Sequence, residues 1–426
     1  MAHFFPEWKP WLWGIADPRD PLRIVYPLPF LVTEGLALFL LKLGARRQIR
    51  FALRTAAMLV NLNRLAGTGV ESLAHPDTLE YLLKKLPPAE LDRVRVGMVR
   101  RLVRMRCLDR YRLFGQILVA IDGTGHLVFS DRHCESCLTQ KQGKQTLYYH
   151  MVLEAKLVTS NGMAISILTE FIENTDPGAE KQDCELKACY RLTERLKAAF
   201  PQLPLCLLAD GLYLSEPVLK ICRENRWGYI ATFKEGHLPE RWREYEALRE
   251  LSPENRRVWE GPKGIHQEFA WVSGLEIGKE RTNVLECRET PADAQTTRFV
   301  WGTNLDVKAS TVVSLANRGG RLRWKIENEG FKEQKRGGYN LEHAYSRHSE
   351  AAKNYYILLQ LARALDQLLE KGDLFRKVMG GTVAVVFGGV RGLAPYLRES
   401  LRYWRIPEEA LQPESARSFQ IRFDTS

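Results

Sequence analysis

Gln116-Ile-Leu-Val-Ala-Ile-Asp122-Gly-Thr-Gly125 is an unbroken apolar run that closes on a carboxylate and a pair of glycines. Its length and its flanking Gly predict a buried strand that ends at Asp122 and enters a turn. Leu203-Pro-Leu-Cys-Leu-Leu-Ala-Asp210-Gly repeats the pattern, again an apolar strand ending in Asp and Gly. Between them lie two further strand candidates, Tyr148 to Leu157 and Met163 to Phe171, parted by the turn Ser160-Asn161-Gly162. A helix is expected from about Gly178 to Phe200, since Leu186, Cys189, Leu192, Leu196 and Phe200 recur at helical spacing and Pro201 stops it. Ser215 to Arg226 reads as a helix and Tyr229 to Phe233 as a strand. Three strands, helix, strand, helix, strand describe an α/β fold with a mixed sheet flanked by helices. Both aspartates then stand at strand ends, the edge where α/β sheets hold ligands and metals.

Outward from this block the pattern changes. From Lys234 to Thr297, Pro, Gly, charges and short apolar pieces such as His266 to Val272 and Thr282 to Cys287 predict a β-rich insertion. Arg298-Phe-Val-Trp-Gly-Thr303 is a strand, and Ser310 to Lys335 is helix-like on either side of Gly319-Gly320. His348 opens an amphipathic helix through Leu369, followed by a basic tail containing Trp and Tyr. Upstream, Glu34 to Arg112 is helix-like and basic, over Ala45 to Leu65 and Pro87 to Arg112. The bunching of Arg93, Arg95, Arg100, Arg101, Arg104, Arg106 and Arg110 exceeds what solubility needs and is read as a phosphate-contacting face. No fixed-period repeat or low-complexity tract is present.

The 426 residues are 45% hydrophobic and 27% charged, which suits a folded chain of two or more domains. A net charge of +11 favours a polyanionic partner, nucleic acid first and an anionic membrane surface second. Tyr26 to Leu43 contains Glu34 and two prolines, and Met1 does not begin a basic segment followed by an apolar run, so neither a spanning helix nor a signal peptide is expected. Eight scattered cysteines are too sparse for a disulfide scaffold, and a reducing cytoplasm is expected. Gly380-Gly381 and Gly388-Gly389 lack the Lys-Ser/Thr ending of a phosphate loop, and no Gly-x-Ser-x-Gly elbow occurs.

A lone strand-end Asp is most often a cap or turn former. Two in one sheet, with an acid on the basic stretch Arg323-Trp-Lys-Ile-Glu327-Asn-Glu329-Gly-Phe331, suggest instead three carboxylates converging on one edge. Three blocks in this order, Val119-Ala-Ile-Asp122-Gly-Thr, Leu208-Ala-Asp210-Gly-Leu-Tyr213 and Arg323-Trp-Lys-Ile-Glu327-Asn-Glu-Gly-Phe331, resemble the bacterial insertion-sequence transposases with an Asp-Asp-Glu triad. The branch resembled carries a β-rich insertion before its last acid, and the likeness runs from about Gln116 to His343. Its tail signature, Tyr-x2-Arg-x3-Glu-x6-Lys, is met at Arg323 and Glu327. The Tyr position holds Gly320, and Gln334 stands where Lys belongs, with Lys335 one step later. Glu329 is the alternative third acid and Glu342 a more distant one; Arg-x3-Glu spacing on one helical face favours Glu327.

The resemblance implies a ribonuclease-H-like core over residues 113–235 and 298–345, split by an insertion at 236–297. A helical DNA-binding region at 1–112 and a helical region at 346–426 would flank it. It further implies that Asp122, Asp210 and Glu327 are catalytic and hold two Mg²⁺ ions, roughly 3.5–4 Å apart, with Mn²⁺ an acceptable substitute. DNA would be the partner, transposon ends and target alike, bound by a homodimer in the bacterial cytoplasm at the nucleoid. Arg318, Arg321, Arg323, Lys325, Lys332 and Lys335 would pair with backbone phosphates. A hairpin route would stack a flipped base on an insertion aromatic, for which Trp242, Trp259 and Trp271 are at hand. A nuclease of the same fold that cuts without joining, and an inactive DNA-binding derivative, are the alternatives. His133-Cys134-Glu-Ser-Cys137 has the spacing of half a zinc knuckle. No second pair stands at fitting distance in the sequence, although His126, Cys184 or Cys107 could complete a site through the fold; ordinary loop cysteines are expected rather than structural zinc. Lys181-Gln-Asp183-Cys184-Glu185 puts two acids at a helix start, where they favour the dipole, and Asp183 is read so before an auxiliary catalytic acid.

Overall fold

Ten strands make one mixed sheet: β1 (Ile117–Phe129), β2 (Leu138–Gln142), β3 (Gln145–Val158), β4 (Ala164–Ile172), β5 (Leu205–Ala209), β6 (Gly228–Thr232), β7 (Arg256–Glu260), β8 (His266–Ile277), β9 (Glu280–Thr290) and β10 (Thr297–Thr303). The structure is a computed structural model and describes residues 4–174, 181–292 and 295–411. The order is β2-β3-β1-β5-β6-β10-β9-β8-β7, with β4 also paired to β3. β1, β5 and β6 are parallel, and β3 and β10 run antiparallel to their neighbours on either side.

β1 does not end at Asp122. It continues to Phe129, because β3 stays paired with it as far as Phe129 opposite Tyr148, with a register shift between Gly125 and Leu127. The ladder of a long neighbour overrides the turn preference of the glycines, and the bulge absorbs the extra residue. Alternation along β1 separates two cores. Ile117, Val119 and Ile121 belong to one with Leu192 and Leu196 of the Glu185–Ala199 helix, and Leu118 and Ala120 to the other with Leu315, Ile326 and Phe331. Residues 312–336 thus cover the face opposite that helix. The expected start of the helix near Gly178 lies outside the described residues, as do the last residues of the basic tail.

The insertion differs from an independent module. After a helix, Pro239–Glu250, its strands β7, β8 and β9 join the sheet through β10, so the ladder that carries the two aspartates runs on into it. The terminal regions also meet. Leu28–Leu40 is a helix buried along almost its whole length, and Ser349–Lys371 packs against it and against β4. Ala45 to Leu65 splits into Gln48–Ala52 and Ala56–Ala66, the second capped by Thr55, whose hydroxyl accepts from Met58 N–H at 3.2 Å. Among the described residues no helix is long and apolar enough to cross a membrane.

A buried ionic network fastens the Pro88–Arg104 helix to the sheet. Arg95, 2% exposed, bonds Asp92, Ser166 and Thr169, while Glu154 bonds Lys156 at 3.0 Å and Ser166 at 2.7 Å. Buried charges persist only when paired in this way. Arg95 is therefore a structural residue and not part of a phosphate-contacting face. Arg93, Arg101 and Arg106 are likewise engaged, with Glu90, Glu7 and Asp109.

Candidate active site

Asp122 and Asp210 stand side by side. In the parallel β1–β5 pair Ala120 lies opposite Leu208, so two residues on, both aspartates reach the same level on neighbouring strands and face the 312–336 segment. Asp122 accepts a hydrogen bond from Gly123 N–H at 3.1 Å. Asp210 caps the short turn Gly211–Tyr213 by accepting from Leu212 N–H at 2.9 Å, so its cap role and its place beside Asp122 coexist.

A third carboxylate arrives from a residue whose acid the sequence reading took for a dipole partner. Glu185, first residue of its helix, reaches under Gly123 from the opposite face. A Cβ at Gly123 would lie 2.5 Å from the Glu185 carboxylate, so only glycine permits this approach. Tyr213 O–H donates to Glu185 at 3.1 Å. Asp183 is instead bound to Arg191 at 2.7 Å. A glycine directly after a strand carboxylate was the one sequence signal that could have found Glu185.

Among the described residues, Arg323 answers these acids. Arg323 donates to Asp122 Oδ2 at 3.2 Å, with both side chains largely enclosed. Burial pushes the Asp122 carboxyl up to about 6; Arg323 opposes the rise, and Asp210 and Glu185 add to it. Glu185 is also raised, by burial and by Asp210, against the hydrogen bond from Tyr213. In both carboxyls burial is the main cause, and the neighbouring acids add to it.

The segment that delivers Arg323 is not one regular helix. A short helix, Val312–Asn317, gives way to a 3-10 turn, Gly320–Trp324, a π-turn, Ile326–Phe331, and an α-turn, Lys332–Arg336. Glu327, half-buried, follows Arg323 by about one turn. A π-turn takes up one residue more than an α-turn. Residue 335 thereby gains the angular position that 334 would hold in a regular helix. Gln334 is buried and donates to Gln360 at 2.7 Å, whereas Lys335 is partly exposed and paired with Glu342 at 3.1 Å. The glycine at the signature's Tyr position also has a cause: a Cβ on Gly320 would lie 2.5 Å from the Trp301 indole.

Glu329 lies elsewhere. It is ion-paired with Lys325 and sits beside Gly162, in the β3–β4 turn near the start of β1, while its carbonyl accepts from Arg363 of the Ser349–Lys371 helix. Of the basic residues, Arg321 bonds Glu289 at 2.6 Å, Arg318 bonds the Arg112 carbonyl at 3.2 Å and Lys332 is exposed.

A cavity of about 650 Å³ opens from Asp210 and Arg323 towards the insertion, lined by Trp242, Phe299, Trp301 and Trp324 with Arg298 and Arg321. Arg298 lies 4.9 Å from the Trp242 ring and Arg321 4.7 Å from Phe299, while Trp324 is 55% exposed. Of the other insertion tryptophans, Trp271 is buried in the core and Trp259 packs beside Gly261.

Among the described residues, one set of three or more His, Cys, Asp or Glu ligand atoms lies within 4.8 Å of one another: His133, Cys134, Cys137 and His150, past the Phe129 end of β1 and on the facing strand β3. Comparison of the chain with protein-family models and with curated proteins gives no match.

Proposed function

We propose that this chain is a divalent-metal-dependent enzyme that cuts DNA strands and joins them to new DNA, a transposase of the insertion-sequence type. The observation that carries the reading is the pairing of Asp122 and Asp210 at one level of adjacent parallel strands, with Arg323 bonded to the first and Glu327 one turn beyond it. The order β4-β3-β1-β5-β6, with β3 antiparallel, supports a ribonuclease-H-like core. The aromatic and arginine-lined cavity beside Asp210 supports a nucleic-acid substrate, since flat rings and guanidinium groups stack on bases.

The residues fit Mg²⁺. Their donors are all oxygen, which hard cations require, and a bound cation would offset the burial that raises the Asp122 carboxyl. Asp122, Asp210 and Glu327 would hold the metal, with Glu185 supporting from the other face. When bound, the metal supplies charge stabilisation to the attacking and leaving oxygens of an in-line phosphoryl transfer. The chain does the rest. Arg323 fixes the Asp122 carboxylate and lies next to a phosphate entering the pocket. Tyr213 holds Glu185 in place. Arg298 and Arg321 flank a base stacked in the cavity, and Trp324 offers an exposed face at its mouth. Lys332 and Arg318 extend the cationic track for the backbone of DNA held by a homodimer.

The test uses a labelled transposon end, a target plasmid and Mg²⁺ with the full chain. Asp122→Asn and Asp210→Asn should each abolish cleavage and joining while retaining end binding. Glu327→Gln should match them, and Glu329→Gln should keep activity. Wild-type strand-transfer rates in either Asp variant overturn the assignment; cutting without joining by the wild-type chain favours the nuclease alternative.

A further inference from the structure

The loop between β1 and β2 closes on itself around four soft or borderline donors. Cys134 Sγ and Cys137 Sγ lie 3.2 Å apart, and His150 Nε2 is 3.3 Å from the first and 3.6 Å from the second. His133 completes the set, with Nε2 3.2 Å from His150 Nε2 and Nδ1 3.4 Å from Cys137 Sγ. Tetrahedral coordination at the usual Zn–S and Zn–N lengths sets neighbouring ligand atoms about 3.3–3.8 Å apart, close to this spread. Both cysteines are free thiols.

We propose that His133, Cys134, Cys137 and His150 form a structural Zn²⁺ site, independent of the acidic pocket and of the activity proposed for it. Two thiolates and two neutral imidazoles around a dication leave no net charge, so the site can be enclosed without an uncompensated ion; uptake of the metal releases the two thiol protons. The scaffold is built for it. The backbone N–H groups of Ser136 and Cys137 point to Cys134 Sγ, the turn expected of a knuckle. Arg132 donates to the Cys134 and Glu135 carbonyls, and Asn174 to that of Cys137, which fixes the loop against the end of β4. Phe129 packs on the His133 ring with centroids 3.8 Å apart.

The ligands come from the loop past the outer end of β1 and from the facing strand β3. His150 is the register partner of Leu127, directly beyond the shift, and the same two strands carry Asp122 opposite Glu154. The ion would pin the outer end of the β1–β3 arm where the bulge loosens its ladder. In sequence only the Cys-x2-Cys half was visible; His150 arrives from the next strand but one, whereas Cys107 bonds the Leu102 carbonyl and Cys184 is exposed at a helix start.

The full chain, expressed with zinc and dialysed without chelator, should carry one zinc per chain by mass spectrometry of metals. Co²⁺ exchanged for it should give the visible bands and thiolate charge-transfer absorption of a tetrahedral site. Cys134→Ser and His150→Ala should weaken binding by more than the roughly 10–100-fold that loss of an outer partner causes. His133→Cys, which preserves a four-ligand set, should retain the metal. The proposal is overturned if wild-type chain takes up neither ion or if the Cys134→Ser and His150→Ala variants bind as wild type. A Cys134–Cys137 disulfide in freshly prepared protein overturns it equally. The wild-type cobalt titration keeps the test valid if a variant fails to fold.

Discussion

Replacing Asp122 by Asn tests the electrostatics of the acidic pocket without asking for catalysis. In the folded chain burial, opposed by Arg323 and reinforced by Asp210 and Glu185, pushes this carboxyl from 3.8 to about 6. A carboxyl whose pKa rises on folding holds its proton more tightly in the native state, so ionising it destabilises the fold. That penalty is absent below the unfolded value of 3.8, grows as pH rises and is complete above about 6. A shift of about two pH units at about 1.4 kcal/mol per unit amounts to about 3 kcal/mol. Asn has nearly the same shape and stays neutral throughout. Asp122→Asn should therefore be more stable than wild type by about 3 kcal/mol at neutral pH and by about half that near pH 5. Urea unfolding midpoints, measured across this range in metal-free buffer, read the difference directly. Added Mg²⁺ should then stabilise wild type, by about 1.4 kcal/mol per tenfold excess over its dissociation constant, and leave the variant unmoved. An Asn variant that is no more stable at neutral pH, or whose advantage ignores pH, refutes the reasoning.

Gly123→Ala would drive a methyl to 2.5 Å from the Glu185 carboxylate, the far end of a flexible side chain, and should swing it off Tyr213 at a cost within about 1 kcal/mol of stability. In a Glu185→Ala background the same substitution should cost nothing further by the same urea measurement; an equal effect with and without Glu185 would show that Glu185 does not lie under the strand. Trp324→Ala, at a side chain 55% exposed, should leave stability within about 0.5 kcal/mol of wild type. It should nevertheless weaken single-stranded DNA binding by about 1–3 kcal/mol in fluorescence anisotropy, and unchanged affinity would remove the ring from the substrate path.

The sequence was legible where burial is symmetrical. The strands around Val119, Leu207 and Ile230 are apolar on both faces and announce themselves, and so do the helices over Leu192 and Leu219. It was not legible where a neighbour decides. Gly123 and Gly125 read as a turn, but β3 holds them in the strand as far as Phe129. The segment after Lys234 reads as a β-rich insertion, but nothing local tells β9 to pair with β10. Ser310 to Lys335 has a helical period on either side of Gly319-Gly320, yet a 3-10 turn and a π-turn break it, where Gly320 packs on Trp301 and Gln334 meets Gln360. At the acidic pocket the two aspartates were visible from their strand context, whereas Glu185 enters by a tertiary approach that only the bare Gly123 hints at.

Because the sheet does not close into a barrel, β2, β4 and β7 are its rims, and a rim strand offers bare N–H and C=O groups to any passing chain. On β2 the Gln182 carboxamide imitates a neighbouring strand for one residue, accepting from Thr139 N–H at 2.6 Å and donating to its carbonyl at 3.0 Å. On β7, Arg256, Arg257 and Glu260 lay charge along the margin, and Arg257 is anchored to the Ala309 carbonyl. Exchanging the two β7 arginines for valine would turn that margin into a template for self-association.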